Sequence, residues 1–160
     1  MMLSIRPATV EDVKLLRNLI MELAEFENEL DQVKITEADL ARDGFAPQPK
    51  FRVLLAYWEQ EPAGYALFFD FYSTWRGPQI FLEDLFVRAA FRGRKIGKRL
   101  LAAVARIAER ESCHGMRWEV LDWNRSAVDF YKSLAAEFLD DWRSVLLNDE
   151  ALQRLAEGAP

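Results

Sequence analysis

The stretch that most constrains this 160-residue chain lies past its middle: a strand candidate, a basic loop with two glycines and a strongly amphipathic helix, in that order. Gln79–Arg88 reads as the strand, Arg92-Gly-Arg-Lys-Ile-Gly97 as the loop and Lys98–Arg110 as the helix. Ile96, Leu100, Leu101, Val104, Ile107 and Ala108 follow the 3.6-residue period and give that helix one apolar face. A strand feeding such a helix is a unit of a layered α/β fold, because the helix buries its stripe by lying back across the sheet. The start of a helix also exposes unpaired backbone N–H groups and partial positive charge, which suits a phosphate or pyrophosphate. Arg92, Arg94, Lys95, Lys98 and Arg99 add positive potential there. Neither the Gly-x-Gly-x-x-Gly dinucleotide pattern nor a phosphate loop ending Gly-Lys-Ser or Gly-Lys-Thr occurs. The residues alone leave two readings open, an anion site or a solvated cationic turn that begins a helix.

The rest of the chain supplies the layers. Leu3–Arg6 is a short strand candidate, and Thr9-Val-Glu-Asp12 resembles a capping box that starts a helix running to about Glu27. Thr36–Asp39 repeats the pattern for a short helix ending near Gly44. Phe51–Trp58 and Gly64–Tyr72 are strands joined by the hairpin-length Glu59-Gln-Glu-Pro62. Beyond the long helix, Met116–Leu121 alternates as a half-buried strand, Ser126–Leu134 is a helix and Trp142–Leu147 a last strand. No linker, repeat or charge block interrupts this order, which predicts one domain over residues 1–160, with a mixed sheet and helices on both faces.

Composition removes several chemistries. A single Cys excludes an internal disulfide, and with a single His it excludes a Cys/His zinc site; no metal is expected. Adjacent Cys113 and His114 tend to point apart, and read as a half-buried thiol and a loop imidazole. A net charge of −5 argues against nucleic acid as an obligatory partner. No apolar run reaches the roughly 20 residues of a membrane span, and Met1–Leu3 leads directly into Arg6 and Pro7 without a secretory apolar core. A reducing cytoplasm is the expected location.

The segment Leu82-Glu-Asp-Leu-Phe-Val87, followed by the basic loop and its helix, resembles the acetyl-CoA site of the GNAT N-acetyltransferase superfamily. Within it the chain is similar to the spermidine/spermine (diamine) acetyltransferases, from Ile5-Arg-Pro-Ala-Thr9 to the final strand candidate. Glu22-Leu-Ala-Glu-Phe-Glu27, Asp31-Gln-Val-Lys34, Asp43-Gly-Phe45, Phe71-Tyr-Ser-Thr-Trp75, Val120-Leu-Asp-Trp-Asn124 and Phe130-Tyr-Lys132 carry the likeness. Several of them lean toward the thialysine N-epsilon-acetyltransferase branch. The resemblance implies a mostly antiparallel central sheet splayed into an acetyl-CoA cleft. It also implies a homodimer and a small cationic amine, of the diamine, polyamine or thialysine type, as substrate.

Site roles carry over by position. Leu85, Phe86 and Val87 would pair with the cofactor's pantetheine arm, one of their N–H groups polarising the thioester carbonyl. Arg92, Gly93, Arg94, Lys95, Ile96, Gly97 and Lys98 would hold the pyrophosphate. Arg117, Trp118 and Glu119, with Asn124, Arg125, Ser126 and Ala127, would complete the groove. Tyr131 matches the tyrosine that protonates the departing thiolate. Phe26, Glu27, Trp75, Glu83 and Asp84 would contact substrate. Two departures stand out: Lys95 occupies the first glycine position of the loop, and Ala135 replaces a glycine common after the fourth helix. A positive φ at position 95 would cost a lysine about 1 kcal/mol or more.

The chemistry sets its own requirement. A lysine-like amine has a pKa near 10.4, so about one molecule in a few thousand is neutral at pH 7. Only that form attacks a thioester, so a carboxylate must stand close enough to take the proton. Glu83 and Asp84 are neighbours, and on a regular strand only one faces a given groove; the resemblance selects Glu83 as base. Asp122, Asp140 and Asp141 read as plain surface. Acetylation of an amino acid, an amino sugar or a protein Lys is the same-class alternative. A CoA- or polyamine-binding protein without turnover is the other.

Overall fold

The computed structural model describes residues 2–158, which fall into two compact units dividing between Glu119 and Val120. In the first unit one sheet runs in chain order: β1 (Leu3–Pro7), β2 (Arg52–Trp58), β3 (Glu61–Ser73), β4 (Gly77–Val87) and β5 (Met116–Arg117). β1 to β4 pair antiparallel, and β5 joins β4 in parallel, as the mixed sheet requires. The hairpin between β2 and β3 is tighter than expected, because Glu59 and Gln60 both take positive φ and close it in two residues.

Three helices cover this sheet: α1 (Val13–Phe26), α2 (Glu37–Phe45) and α3 (Ile96–Arg110). Val53, Leu55, Tyr65, Leu67 and Phe86 form one buried cluster with Val13, Leu16 and Leu19 of α1 and Leu40 of α2. Their strand neighbours Leu54, Ala56, Ala66, Phe68, Ile80 and Leu82 are buried too, and by alternation serve the opposite face, where α3 lays down Leu100 and Val104. The capping pattern at Thr36 is complete, with Asp39 N–H donating to Thr36 Oγ1 and Thr36 N–H to Asp39 Oδ2. At Thr9 the N–H likewise donates to Asp12 Oδ2, but Val10–Asp12 is a 3₁₀ turn and α1 itself begins at Val13. Two guanidinium hydrogen bonds from Arg6 hold the Asp12 carboxyl down to about 2.

The second unit contains α4 (Arg125–Ser133) and α5 (Asp149–Ala156), and the strand expectation fails twice, once here and once at β5 of the first unit. Trp142–Leu147 is not a strand, and Met116–Leu121 shortens to Met116–Arg117. Aromatic and β-branched residues favour a strand only where a neighbouring ladder exists to pack them. The sequence reading missed α5, although Asn148 before Asp149 and Glu150, with Leu152 and Leu155 three apart, is a helix-start signal. Among the described residues no helix is long and apolar enough to cross a membrane.

Candidate active site

The site grows from the way β4 leaves β5. Their ladder consists of Ile80 opposite Met116 and Phe81 opposite Arg117, whereas β4 stays paired to β3 as far as Gly64 opposite Val87. Leu82–Val87 therefore runs on past β5, with the backbone edge away from β3 outside the ladder. Close packing holds its other edge: a Cβ on Gly64 would lie 2.2 Å from Phe86 O. At the end of β4, Arg88 is clamped by Glu22 of α1, Nε and Nη2 donating to the carboxylate at 2.8 and 2.6 Å, and Nη1 donates to Pro62 O at 2.9 Å. This anchor was not anticipated, since nothing in the sequence links positions 22 and 88.

Where β4 departs, it bulges. Leu67 opposes Asp84 but Phe68 opposes Leu82, so Glu83 is an extra residue inserted between the two registers. The expectation that Glu83 and Asp84 occupy opposite faces is corrected accordingly, since alternation holds only along an unbroken strand. The two carboxylates instead sit in one acidic cluster with Glu27, which follows α1. Burial raises the Glu83 carboxyl, and Glu119 raises it further; burial and Glu29 raise that of Glu27. Asp84 is pushed up to about 6, by burial first and then by Glu83 and Glu27, against a hydrogen bond from Tyr65 that favours its charged form. Tyr65 O–H donates to Asp84 Oδ2 at 2.8 Å. Tyr65 carries no signal in the sequence beyond its place on an alternating strand.

The loop before α3 is similarly built. Gly93 takes φ +78°, with open space where a side chain would stand, and Lys95 takes φ 61° and ψ 16° at the N-cap of α3. Arg92 is exposed, yet its side chain is tied down on two sides. Its guanidinium lies 4.5 Å from the Phe26 ring centroid, and its Nε donates to Val87 O at 3.0 Å. Arg94 lies 4.9 Å from the Trp58 ring centroid. The loop is thus tied to neighbouring rings by Arg92 and Arg94, which stay exposed like Lys95, Lys98 and Arg99 at the helix start.

The Acetyltransferase (GNAT) family matches residues 15–135, across the division between the two units. The chain belongs to the GNAT acetyltransferase family. The thialysine N-epsilon-acetyltransferase of Sus scrofa is 40% identical over 163 residues, covering 95% of this chain and 96% of the relative. The Homo sapiens spermidine/spermine N(1)-acetyltransferase-like protein 1 is 35% identical over 95% of this chain, which spans 23% of that longer protein. An integron cassette protein from V. cholerae shares the fold with a TM-score of 0.79 at 24% identity, over 98% of this chain and 99% of the other.

For a GNAT enzyme, which uses acetyl-CoA, the opened edge of Leu82–Val87 and the glycine-containing helix start suit an extended pantetheine arm and a pyrophosphate. The first unit brings together Phe26, Glu27, Glu83, Asp84, Leu85–Val87 and the loop. It does not bring Trp75 to them. Trp75 lies in the turn between β3 and β4, about 20 Å along the strand from Glu83. The Arg117 side chain lies against the Phe71 ring, 6.0 Å from its centroid. Asn124, Arg125, Ser126, Ala127 and Tyr131 belong to the second unit, where Asn124 Oδ1 accepts from Ala127 N–H to cap α4 and Tyr131 is buried beside Phe130.

Both departures from the family's glycine pattern adopt the backbone that glycine favours, φ 61° at Lys95 and 58° at Ala135. The left-handed region costs a non-glycine residue about 1–2 kcal/mol, partly offset because glycine loses more chain entropy on folding. Lys95→Gly is therefore expected to raise the melting temperature by about 1–3 °C in a thermal scan. A fall would mean that the Lys95 side chain outweighs its own backbone strain.

Proposed function

We propose that this chain is an acetyl-CoA-dependent N-acetyltransferase for a small cationic amine of the thialysine or diamine type, working by direct transfer in a ternary complex. One observation carries the reading: Glu83 and Asp84, on the stretch of β4 whose backbone edge is open beyond β5, form an acidic cluster with Glu27 from the end of α1. Acetyl-CoA supplies an activated acetyl group to that edge. An N–H of Leu85, Phe86 or Val87 polarises the thioester carbonyl, while the N–H groups of Gly93–Lys98 and the ammonium groups of Lys95 and Lys98 hold phosphate. Glu83 takes the proton that the amine must shed, and its raised pKa brings it nearer that task. Tyr131 returns a proton to the leaving thiolate. The single thiol, Cys113, lies outside the residues assigned to the site, consistent with transfer that forms no acetyl-enzyme.

CoA release should be measured with acetyl-CoA over thialysine, spermidine, putrescine, lysine and aminoglycosides. Turnover confined to the short di- and polycations is the expected result. Tight CoA binding without turnover of any amine would make the chain a binding protein instead. In the same assay Glu83→Gln is expected to flatten the acidic limb of the pH–rate profile, because the group that must be deprotonated on that limb is gone. An unaltered limb would assign the proton to another base or to solvent. A cytoplasmic homodimer completes the proposal; exposed Trp142, Val145, Leu146 and Leu155 in the second unit supply apolar surface that such an association could cover.

A further inference from the structure

The bond between Tyr65 and Asp84 deepens the amine-acetylation reading and rests on it. Tyr65 is fully buried within β3, its ring set edge-on to Phe86 with centroids 6.3 Å apart. Phenylalanine would fill that volume without carrying a polar atom inside. The hydroxyl instead reaches Asp84 Oδ2 at 2.8 Å, at the first residue after the bulge. The other titratable groups acting on Asp84 are Glu83 from β4 and Glu27 from the end of α1, and both are acids. Among the described residues no cation acts on Asp84, and none is paired with Glu27 or Glu83.

We propose that Tyr65 is the positioning residue of the amine site: its buried hydroxyl occupies Asp84 Oδ2, fixes the rotamer of that carboxylate and leaves Oδ1 to accept the substrate's ammonium group. An unanchored aspartate rotates broadly about χ2. Pinning one oxygen removes that freedom before substrate arrives. The same bond favours the charged form of Asp84 against the burial that raises its pKa. Tyr65 therefore keeps the carboxylate both aimed and ionised, although it need never touch substrate.

The test is Tyr65→Phe in the full chain, assayed with thialysine and with spermidine at saturating acetyl-CoA from about pH 5 to about pH 9. The amine KM should rise roughly tenfold with kcat within about threefold, the loss expected from one hydrogen bond to a charged group. The acidic limb of kcat/KM for the amine should move up by about one pH unit, since Asp84 loses a donor to its charged form. In an Asp84→Asn background, Tyr65→Phe should add nothing to KM. A limb that stays in place, or a KM effect that multiplies in the double variant, would reduce Tyr65 to a packing residue and overturn the proposal.

Should Tyr65→Phe fail to fold, Asp84→Asn decides alone. Asparagine keeps an acceptor for the phenol but not the charge, so the amine KM must rise at least roughly tenfold; an unchanged KM overturns the proposal. Calorimetric titration of thialysine into the CoA-bound protein separates this inference from the catalytic reading. Binding weakened by Tyr65→Phe in a protein without turnover upholds the positioning role and defeats the catalytic reading. No binding by the unaltered protein defeats both.

Discussion

Removing one oxygen atom, in Tyr131→Phe, is expected to lower kcat by at least about tenfold while the KM for acetyl-CoA stays within about twofold. Tyr131 is buried on α4 with the Phe130 ring 5.3 Å away, so the ring that remains preserves the packing. The expected size follows from the leaving group. A thiol of the cysteine type has a pKa near 8.5, so a thiolate expelled into an apolar setting is held back unless a donor meets it. A phenol titrating near 10 stays protonated throughout the neutral range and can supply that donor. Loss of a positioned general acid typically costs about 100-fold or more, with water recovering part of it. Steady-state rates with thialysine and acetyl-CoA check the prediction. An unchanged kcat would remove Tyr131 from the chemistry while leaving the amine and cofactor subsites as described.

Gly64→Ala should act on the fold and the cleft together. The added methyl would stand 2.2 Å from Phe86 O, 3.2 Å from Phe86 C and 3.1 Å from Val87 Cα, all backbone atoms that cannot rotate aside. β3 and β4 must part, and the part of β4 that shifts is the one carrying the proposed thioester-polarising N–H. Overpacking of this kind costs about 3 kcal/mol or more, or roughly 10 °C in melting temperature for a chain of this length. Turnover should fall by more than about tenfold, because the donor loses its geometry. Gly97→Ala is the thermal control: its Cβ would meet Val87 Cγ2 at an ordinary 3.7 Å, so it should melt no lower than the parent. A Gly64→Ala protein melting like the parent would show that the two strands do not approach this closely.

The parts legible in the sequence were those governed by local rules. α3 declared itself by period and β4 by its apolar run, and Thr36 with Asp39 capped α2. The family resemblance, rather than a local rule, marked positions 95 and 135 as glycine sites filled by other residues, and both take positive φ. What stayed hidden depends on pairs remote in sequence. The Glu83 bulge exists only in the register of β4 against β3, so alternation gave the wrong relation between Glu83 and Asp84. Tyr65 and Asp84 lie 19 residues apart, and Arg88 and Glu22 lie 66 apart, and no periodicity spans such distances. The charge of Arg92 was legible, and the Phe26 ring beneath it was not. Trp142–Leu147 had strand composition without a ladder to join.

The clustered acids also make the protein a gauge of its own ligand. Asp84 titrates near 6 when folded, and Glu27 and Glu83 are displaced upward as well, so the folded chain holds these protons more tightly than the unfolded chain. Their contribution to stability is complete below the ordinary carboxylate range and is lost as pH rises through their elevated folded values, about 6 for Asp84. At neutral pH the empty protein therefore carries mutual repulsion that a bound ammonium group relieves. A ligand present at about a hundred times its Kd adds about 2.7 kcal/mol by mass action, roughly 5–10 °C of thermal shift for a chain of this length. Melting curves with candidate amines would rank them at neutral pH without any acetyl transfer. In mild acid the ranking should compress, because there the proton already does what the amine would.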